Sequence, residues 1–181
     1  MNRKQFLQLL AALSLAAPAA GFAGTTSAFR ARRAVAEFTG ELDAPPQDVF
    51  PLLCPVREYE WLDGWKCDMI FTKSGVAEEN CIFSTPNGPS IWNVDHYEPP
   101  RKIEFTVVSP EMVNRLNFTL EPTPSGGTRL NWQRTFTGLN DAGNAKVNSW
   151  DTGLDRKLTR AIAEFLKTGK MMPWSKPESN R

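Results

Sequence analysis

The sequence contains a single histidine and only three cysteines, and no two cysteines stand in Cys-x-x-Cys spacing. A zinc site is therefore not expected, because zinc sites draw on closely spaced Cys and His ligands. The sequence also has no glycine-rich nucleotide-binding loop, no Gly-x-Ser-x-Gly turn and no cluster of metal-ligating residues. We therefore expect no metal and no cofactor, and we find no established catalytic motif.

Long runs of charge are absent as well. The chain has 21 Lys and Arg and 20 Asp and Glu among its 181 residues, without the basic clusters that nucleic-acid binding requires. Residues 1–24 hold Arg3 and Lys4 but no acid, so the remainder has 19 basic and 20 acidic residues. A domain this close to neutral has no electrostatic reason to bind polyanions or anionic membranes. Nucleic acid is therefore not an expected partner.

Residues 1–24 are predicted to be a bacterial export signal. A basic start is followed by an apolar segment, Phe6 to Ala20, and by the small residues Gly21 and Ala23 at the expected cleavage site. The apolar segment is shorter than the about 20 residues of a membrane span, so no stable span is expected after cleavage. The pattern resembles a twin-arginine signal with Lys4 in place of the second Arg, which leaves the export route open. We expect a periplasmic or secreted protein; an uncleaved amphipathic anchor is the alternative.

The three cysteines, Cys54, Cys67 and Cys81, are predicted to be buried free thiols. Their odd number leaves at least one thiol free even in an oxidising compartment, and cysteine packs readily as a small apolar residue. A disulfide between Cys67 and Cys81 across a hairpin is the alternative.

Short alternating segments separated by turns predict a sheet. A first strand is expected at 34–42, and six more are expected at 66–72, 79–85, 91–97, 102–108, 112–122 and 128–138. Their short connections favour antiparallel neighbours. One face of this sheet is apolar and aromatic, whereas the other carries polar residues such as Asp68, Asn93, Asp95, Asn131 and Gln133. The apolar face requires a cover.

Two short helices and one long helix complete the pattern. The segment 43–53 predicts a short helix with prolines in its first turn. The segment CPVREYEWLDGW at 54–65 predicts a second short helix that Gly64 ends. The segment 139–169 has apolar residues at helical spacing and ends at Gly169, which predicts one amphipathic helix of about 25 residues. That helix is long enough to cover the sheet.

This order of elements resembles the START-like superfamily, also called SRPBCC, whose helix-grip fold is shared with pollen allergens and polyketide cyclase/dehydrase-type proteins. The resemblance covers residues 34–168 and rests on APPQDVFPLLCPVREYEWLDGW, SGVAEENCIFST and the final amphipathic helix; the first stretch also resembles a bacterial subgroup with a CPV-E-W-GW pattern. It implies an α+β fold: a curved seven-stranded antiparallel sheet wraps the long C-terminal helix, with two short helices between strands 1 and 2. Residues 34–168 would form a ligand-binding domain, and 170–181 a flexible tail.

In such a fold the sheet and the helix leave a cavity between them. The resemblance places Glu58, Trp61 and Trp65 at its mouth, because residues three apart share a helix face. A packed corner in which both tryptophans only close the core is the alternative. Strand alternation adds six candidates on the concave face: Trp92, Phe105, Asn114, Phe118, Trp132 and Arg134. We predict that these nine residues bind a ligand.

The leading functional hypothesis is an exported binding or carrier domain for a small hydrophobic or amphipathic molecule. The resemblance also allows a cyclase- or dehydratase-like enzyme, with Glu58 or His96 as acid or base and Arg134 polarising a carbonyl group. A buried Arg134 needs a partner, and Glu58 is one candidate. The third hypothesis is a protein-interaction module, as in chaperone cofactors of this fold. The sequence predicts neither the ligand nor the oligomeric state.

Overall fold

The computed structural model describes residues 28–86 and 90–172. The predicted export signal and nearly all of the predicted tail therefore lie outside the described residues. The regular elements, in chain order, are β1 (Arg33–Leu42), α1 (Pro46–Val49), β2 (Asp68–Phe71), β3 (Ile82–Thr85), β4 (Ser90–Glu98), β5 (Lys102–Val108), β6 (Met112–Pro122), β7 (Thr128–Gly138), α2 (Asp141–Ser149) and α3 (Gly153–Thr168).

The seven strands form one antiparallel sheet in the order β1-β7-β6-β5-β4-β3-β2. Buried and less buried residues alternate along β5, β6 and β7, as expected for a sheet with one covered face. On the other face polar side chains pair across strands. Thr39 donates a hydrogen bond to Asn131, and Gln133 donates one to Glu37, each with a donor–acceptor distance of 2.8 Å. The predicted α+β helix-grip fold with a curved seven-stranded sheet is confirmed.

The predicted single C-terminal helix is wrong, because the chain breaks at residues 150–152 into α2 and α3. Trp150 adopts an extended conformation (φ −71°, ψ 136°). Asp151 then accepts a hydrogen bond at 2.7 Å from the amide of Gly153, the first residue of α3. Asp151 offers the backbone a hydrogen bond that competes with the helix, and Gly153 has a low helix propensity. These two local effects break the helix that the apolar periodicity predicted. Gly169, with φ 65°, ends α3 as predicted.

The predicted second short helix is reduced to a single 3₁₀ turn, Glu58–Glu60. Another 3₁₀ turn, Phe50–Leu53, continues α1 directly. Prolines within and after that turn remove the amide donors that a longer helix would need. The chain between α1 and β2 is therefore mostly irregular, and side-chain hydrogen bonds hold it in place.

Helix α3 packs against β1, where the absence of a side chain at Gly40 leaves room for Thr159. A Cβ atom at Gly40 would lie only 2.7 Å from Cγ2 of Thr159, so a larger residue would require Thr159 to shift. Next to this contact, the guanidinium of Arg156 lies 5.6 Å from the ring centroid of Phe38. Ile162 is fully buried, so the apolar side of α3 faces the core.

All three cysteines are buried free thiols, as predicted. Burial raises the pKa of Cys54 to about 12, and it also raises the pKa of Cys67 and of Cys81. Because the thiolate is the reactive form of cysteine, these groups act as packing residues.

Candidate functional site

A cavity of about 790 Å³ lies between the concave face of the sheet, the segment 58–65 and α3. Its volume falls within the about 300–1,000 Å³ that small-molecule sites occupy. The structure brings all nine predicted ligand-binding residues to its wall: Glu58, Trp61, Trp65, Trp92, Phe105, Asn114, Phe118, Trp132 and Arg134. That they bind a ligand stays a prediction.

One side of the cavity is a continuous series of aromatic rings, which begins at Trp65 in the loop before β2 and continues on β4, β5, β6 and β7. The ring centroids of Trp65 and Trp92 are 6.2 Å apart, those of Trp92 and Phe105 5.8 Å, and those of Phe105 and Phe118 6.0 Å. Phe118 and Trp132, which pair directly across β6 and β7, are 4.6 Å apart. All four contacts are edge-to-face, the arrangement that aromatic pairs prefer. Each ring of this series therefore packs against the next one.

The segment 58–65 is fixed by bonds from its aromatic side chains to the backbone. Trp61 Nε1 donates to the Leu52 carbonyl at 2.8 Å, and Trp65 Nε1 donates to the Pro55 carbonyl at 2.9 Å. Trp61 is 2% exposed and belongs mainly to the core, whereas Trp65 is half-buried at the cavity. Trp61 thus belongs to the packed corner, and Trp65 lies at the cavity mouth.

Arg134 is buried, and its partner is Asp155 rather than Glu58. Arg134 Nε donates to Asp155 Oδ1 at 2.6 Å, and the two side chains are 7% and 1% exposed. The guanidinium also lies between the rings of Trp132 and Trp150, 5.4 and 5.6 Å from their centroids. Burial raises the pKa of Asp155, and the charge of Arg134 opposes that rise. The pair joins α3 to β7 at the edge of the cavity.

Glu58 faces the cavity as a half-buried carboxyl group. Within the described residues its side chain has no hydrogen-bond partner, and Arg134 acts on it only through longer-range attraction. Burial raises the pKa of Glu58 from 4.5 to about 8, and Arg134 opposes the rise. The carboxyl group is therefore mostly protonated at neutral pH.

Two further polar atoms in residues of the wall have unused hydrogen-bonding capacity. In the part of the chain that the structure describes, Asn114 Oδ1 and Trp132 Nε1 are buried without a partner. Most buried polar groups in proteins are hydrogen-bonded. The charged and amide side chains of the otherwise apolar wall are Glu58, Asp63, Asn114 and Arg134.

His96 does not reach the cavity, although regular alternation from Trp92 would place it on the concave face; that expectation is wrong. The pairing of β4 with β5 shifts by one residue between Val94 and His96, and such a bulge exchanges the two faces of a strand. Tyr97 packs inward instead, its ring 5.4 Å from that of Phe50. His96 Nε2 lies 3.3 Å from a Glu98 carboxylate oxygen, away from the cavity wall. Of the three proposed catalytic groups, only Glu58 and Arg134 share the cavity.

Sequence reasoning missed several residues of the wall: Leu53, Leu62, Asp63, Gly64, Leu116, Leu154 and Leu158. The signal for Leu154 and Leu158 was their spacing of four residues on an amphipathic helix, and that for Leu116 was its alternation with Asn114 and Phe118. No pattern identified Asp63, which is exposed where the loop borders the cavity.

The described residues contain no group of three His, Cys, Asp or Glu side chains that could hold a metal ion. None of the helices found in residues 28–86 and 90–172 has the length and apolar character of a membrane span.

Several solved structures resemble this chain at low sequence identity. Norcoclaurine synthase from Thalictrum flavum, in complex with dopamine and hydroxybenzaldehyde, is 12% identical with a TM-score of 0.59, over 78% of this chain and 91% of that one. Protein MLL2253 from Mesorhizobium loti is 19% identical with a TM-score of 0.56, over 77% and 100% of the two chains. DynU16, from the dynemicin biosynthetic locus, is 19% identical with a TM-score of 0.56 over 75% of this chain. The match spans only 48% of DynU16. These likenesses show a common fold.

The sequence itself matches one family model, whereas no curated protein matches it. The model is described as "Polyketide cyclase / dehydrase and lipid transport" and matches residues 33–168. This range runs from the start of β1 to the end of α3 and includes every residue of the cavity wall. The chain therefore belongs to the polyketide cyclase/dehydrase and lipid transport family.

Proposed function

We propose that this chain is an exported binding or carrier domain for a small hydrophobic or amphipathic molecule. The observation that carries the proposal is the cavity of about 790 Å³ with its aromatic wall and few polar groups. Ligand sites typically combine such apolar walls with a small number of placed polar groups. The family description, which includes lipid transport, and the aromatic molecules bound by the similar norcoclaurine synthase agree with an apolar guest.

Filling the cavity from the helix side is expected to block binding. Leu158 on α3 lines the cavity and is half-buried, so Leu158→Trp places an indole where a guest would lie. We expect the affinity for the neutral fluorophore prodan to fall by about tenfold or more, a loss of at least about 1.4 kcal/mol. A fluorescence titration measures the change, and a melting curve without prodan verifies folding.

The matched control is Leu139→Trp, because Leu139 is 45% exposed and lies outside the cavity wall. Its affinity for prodan should stay within about twofold of the original protein. Equal affinities in the two variants, or no binding of prodan and no co-purified apolar molecule in mass spectra of the original protein, would count against a binding function.

The export part of the proposal makes a separate prediction. If residues 1–24 are cleaved, the mature chain begins at Thr25. Intact-mass measurement of the protein from the periplasmic or culture fraction of a bacterial host should give the mass of residues 25–181. A full-length mass in the cell fraction alone would contradict export with cleavage.

A further inference from the structure

The cavity wall contains acidic side chains without an ion-pair partner among the described residues, whereas its basic side chain already has such a partner. Among the described residues, Arg134 is the only basic residue of the wall, and Asp155 already neutralises it through their 2.6 Å hydrogen bond. Glu58 and Asp63 also line the cavity, and neither forms an ion pair within that part of the chain. A guest therefore meets the exposed carboxyl group of Asp63 and the Glu58 carboxyl group, which becomes negative when it loses its proton.

The aromatic rings of the wall also favour a positively charged guest over a negatively charged one. Six aromatic residues line the cavity: Trp61, Trp65, Trp92, Phe105, Phe118 and Trp132. The face of an aromatic ring attracts a cation within about 6 Å of its centroid, and indole does so most strongly. The guanidinium of Arg134, 5.4 Å from the ring centroid of Trp132, is already held in this way. Rings and carboxyl groups together form an environment for positive charge.

We propose that the preferred guest of this cavity is an organic cation: a small, mostly apolar molecule with one protonated amine, whose ammonium group pairs with Glu58. This inference rests on the proposed binding function and specifies the guest. Asp63, exposed where the loop borders the cavity, adds a second negative charge on the path of the amine. The apolar body of the guest contacts the rings, and the ammonium group provides the hydrogen-bond donors that Glu58 lacks.

Binding of the cation is coupled to ionisation of Glu58. The charge of Arg134 on β7 lowers the pKa of Glu58, and Glu58 in turn raises the pKa of the thiols of Cys54 and Cys67. Asp63 lines the same cavity. The thiols stay neutral, because burial raises the pKa of both. With a pKa of about 8 for Glu58, only a minority of molecules carry the carboxylate at pH 6. The affinity for an amine should therefore rise about tenfold per pH unit towards pH 8 and then level off.

Three probes that differ in one group test the inference on the full-length protein. They are 1-naphthylmethylamine, its neutral N-acetyl derivative and the anion 1-naphthoate, titrated by calorimetry between pH 6 and pH 8.5. At pH 8 the amine is expected to bind at least about tenfold more tightly than the amide, and the amide more tightly than the anion. In Glu58→Gln, which cannot ionise, both the advantage of the amine and its rise with pH should disappear.

The outcomes separate this inference from the function on which it rests. An amide that binds as well as the amine, an anion that binds best, or an amine whose affinity does not change with pH would overturn the cation assignment while leaving a binding cavity. A Glu58→Gln variant that is folded and keeps the advantage of the amine would overturn the role of Glu58. If none of the three probes binds at any pH, the binding function fails, and the inference fails with it.

Discussion

Replacement of Asp155 by alanine is expected to lower the free energy of unfolding by about 3–5 kcal/mol, because it leaves the buried guanidinium of Arg134 without its counter-charge. Domains of this size are stable by only about 5–15 kcal/mol, so the variant should unfold at a much lower urea concentration. Urea unfolding followed by circular dichroism measures the change. The loss is large because both side chains are almost fully buried.

Two controls identify the cause. Glu41→Ala removes one partner of an exposed pair, in which Arg129 and Glu41 are 47% and 65% exposed, and should cost at most about 1 kcal/mol. The double replacement of Arg134 by methionine and Asp155 by leucine removes both charges and should recover most of the loss, because apolar residues often substitute for a buried pair without penalty. A loss in Asp155→Ala no larger than that in Glu41→Ala would show that the pair does not hold α3 to β7.

The second large effect is a fall in stability as the pH rises, caused by Glu58. Its pKa is about 8 in the folded protein, against 4.5 ordinarily, so the folded state holds the proton more tightly than the unfolded chain. Below pH 4.5 both states are protonated and the full stabilisation is present. Between pH 4.5 and 8 the unfolded state loses its proton first, and stability falls; above pH 8 both states are ionised and the change is complete.

The size of this effect follows from the separation of the two pKa values. At about 1.4 kcal/mol per pH unit, the loss of unfolding free energy has an upper limit of about 5 kcal/mol. Because Glu58 is only half-buried and solvent screens its charge, we expect a loss of about 2–4 kcal/mol. Glu58→Gln cannot ionise, so it should match the original protein at pH 4 and exceed its stability by this amount at pH 8.5. Urea unfolding at a series of pH values measures the difference.

A neighbouring residue provides the control for the pH profile. Glu60 belongs to the same turn, but its side chain is 40% exposed and pairs with Arg57 at the surface. Glu60→Gln should change the free energy of unfolding by less than about 1 kcal/mol at both pH values. Parallel pH profiles for Glu58→Gln and the original protein would mean that the Glu58 carboxyl group is not perturbed by burial.

Local patterns were sufficient to predict the sheet and most of the positions around the cavity. Alternation along β5 and β6 assigned Phe105, Asn114 and Phe118 to the concave face, and the structure places all three at the cavity wall. This inference works because side chains in a regular strand alternate strictly between two faces. The same rule failed for His96, because one bulge in β4 shifts every later residue to the opposite face.

Such local patterns could not predict which residues distant in sequence contact each other. Arg134 was expected to need a partner, but its identity depends on where α3 lies on the sheet, which depends in turn on the break at residues 150–152. That break places Trp150 against Phe136, with ring centroids 4.3 Å apart, and starts α3 so that Asp155 meets Arg134. Helical periodicity reports which face of a helix is apolar, not how two elements are oriented in space.

The contact between Gly40 and Thr159 has a consequence for how this architecture can diversify. Position 40 lies on β1, outside the cavity wall, yet the missing side chain there determines how near α3 rests to one edge of the sheet. A bulkier residue at position 40 would require Thr159 of α3 to shift, although Gly40 itself does not line the cavity. In this chain a residue outside the cavity wall therefore constrains the packing of a helix that lines the cavity.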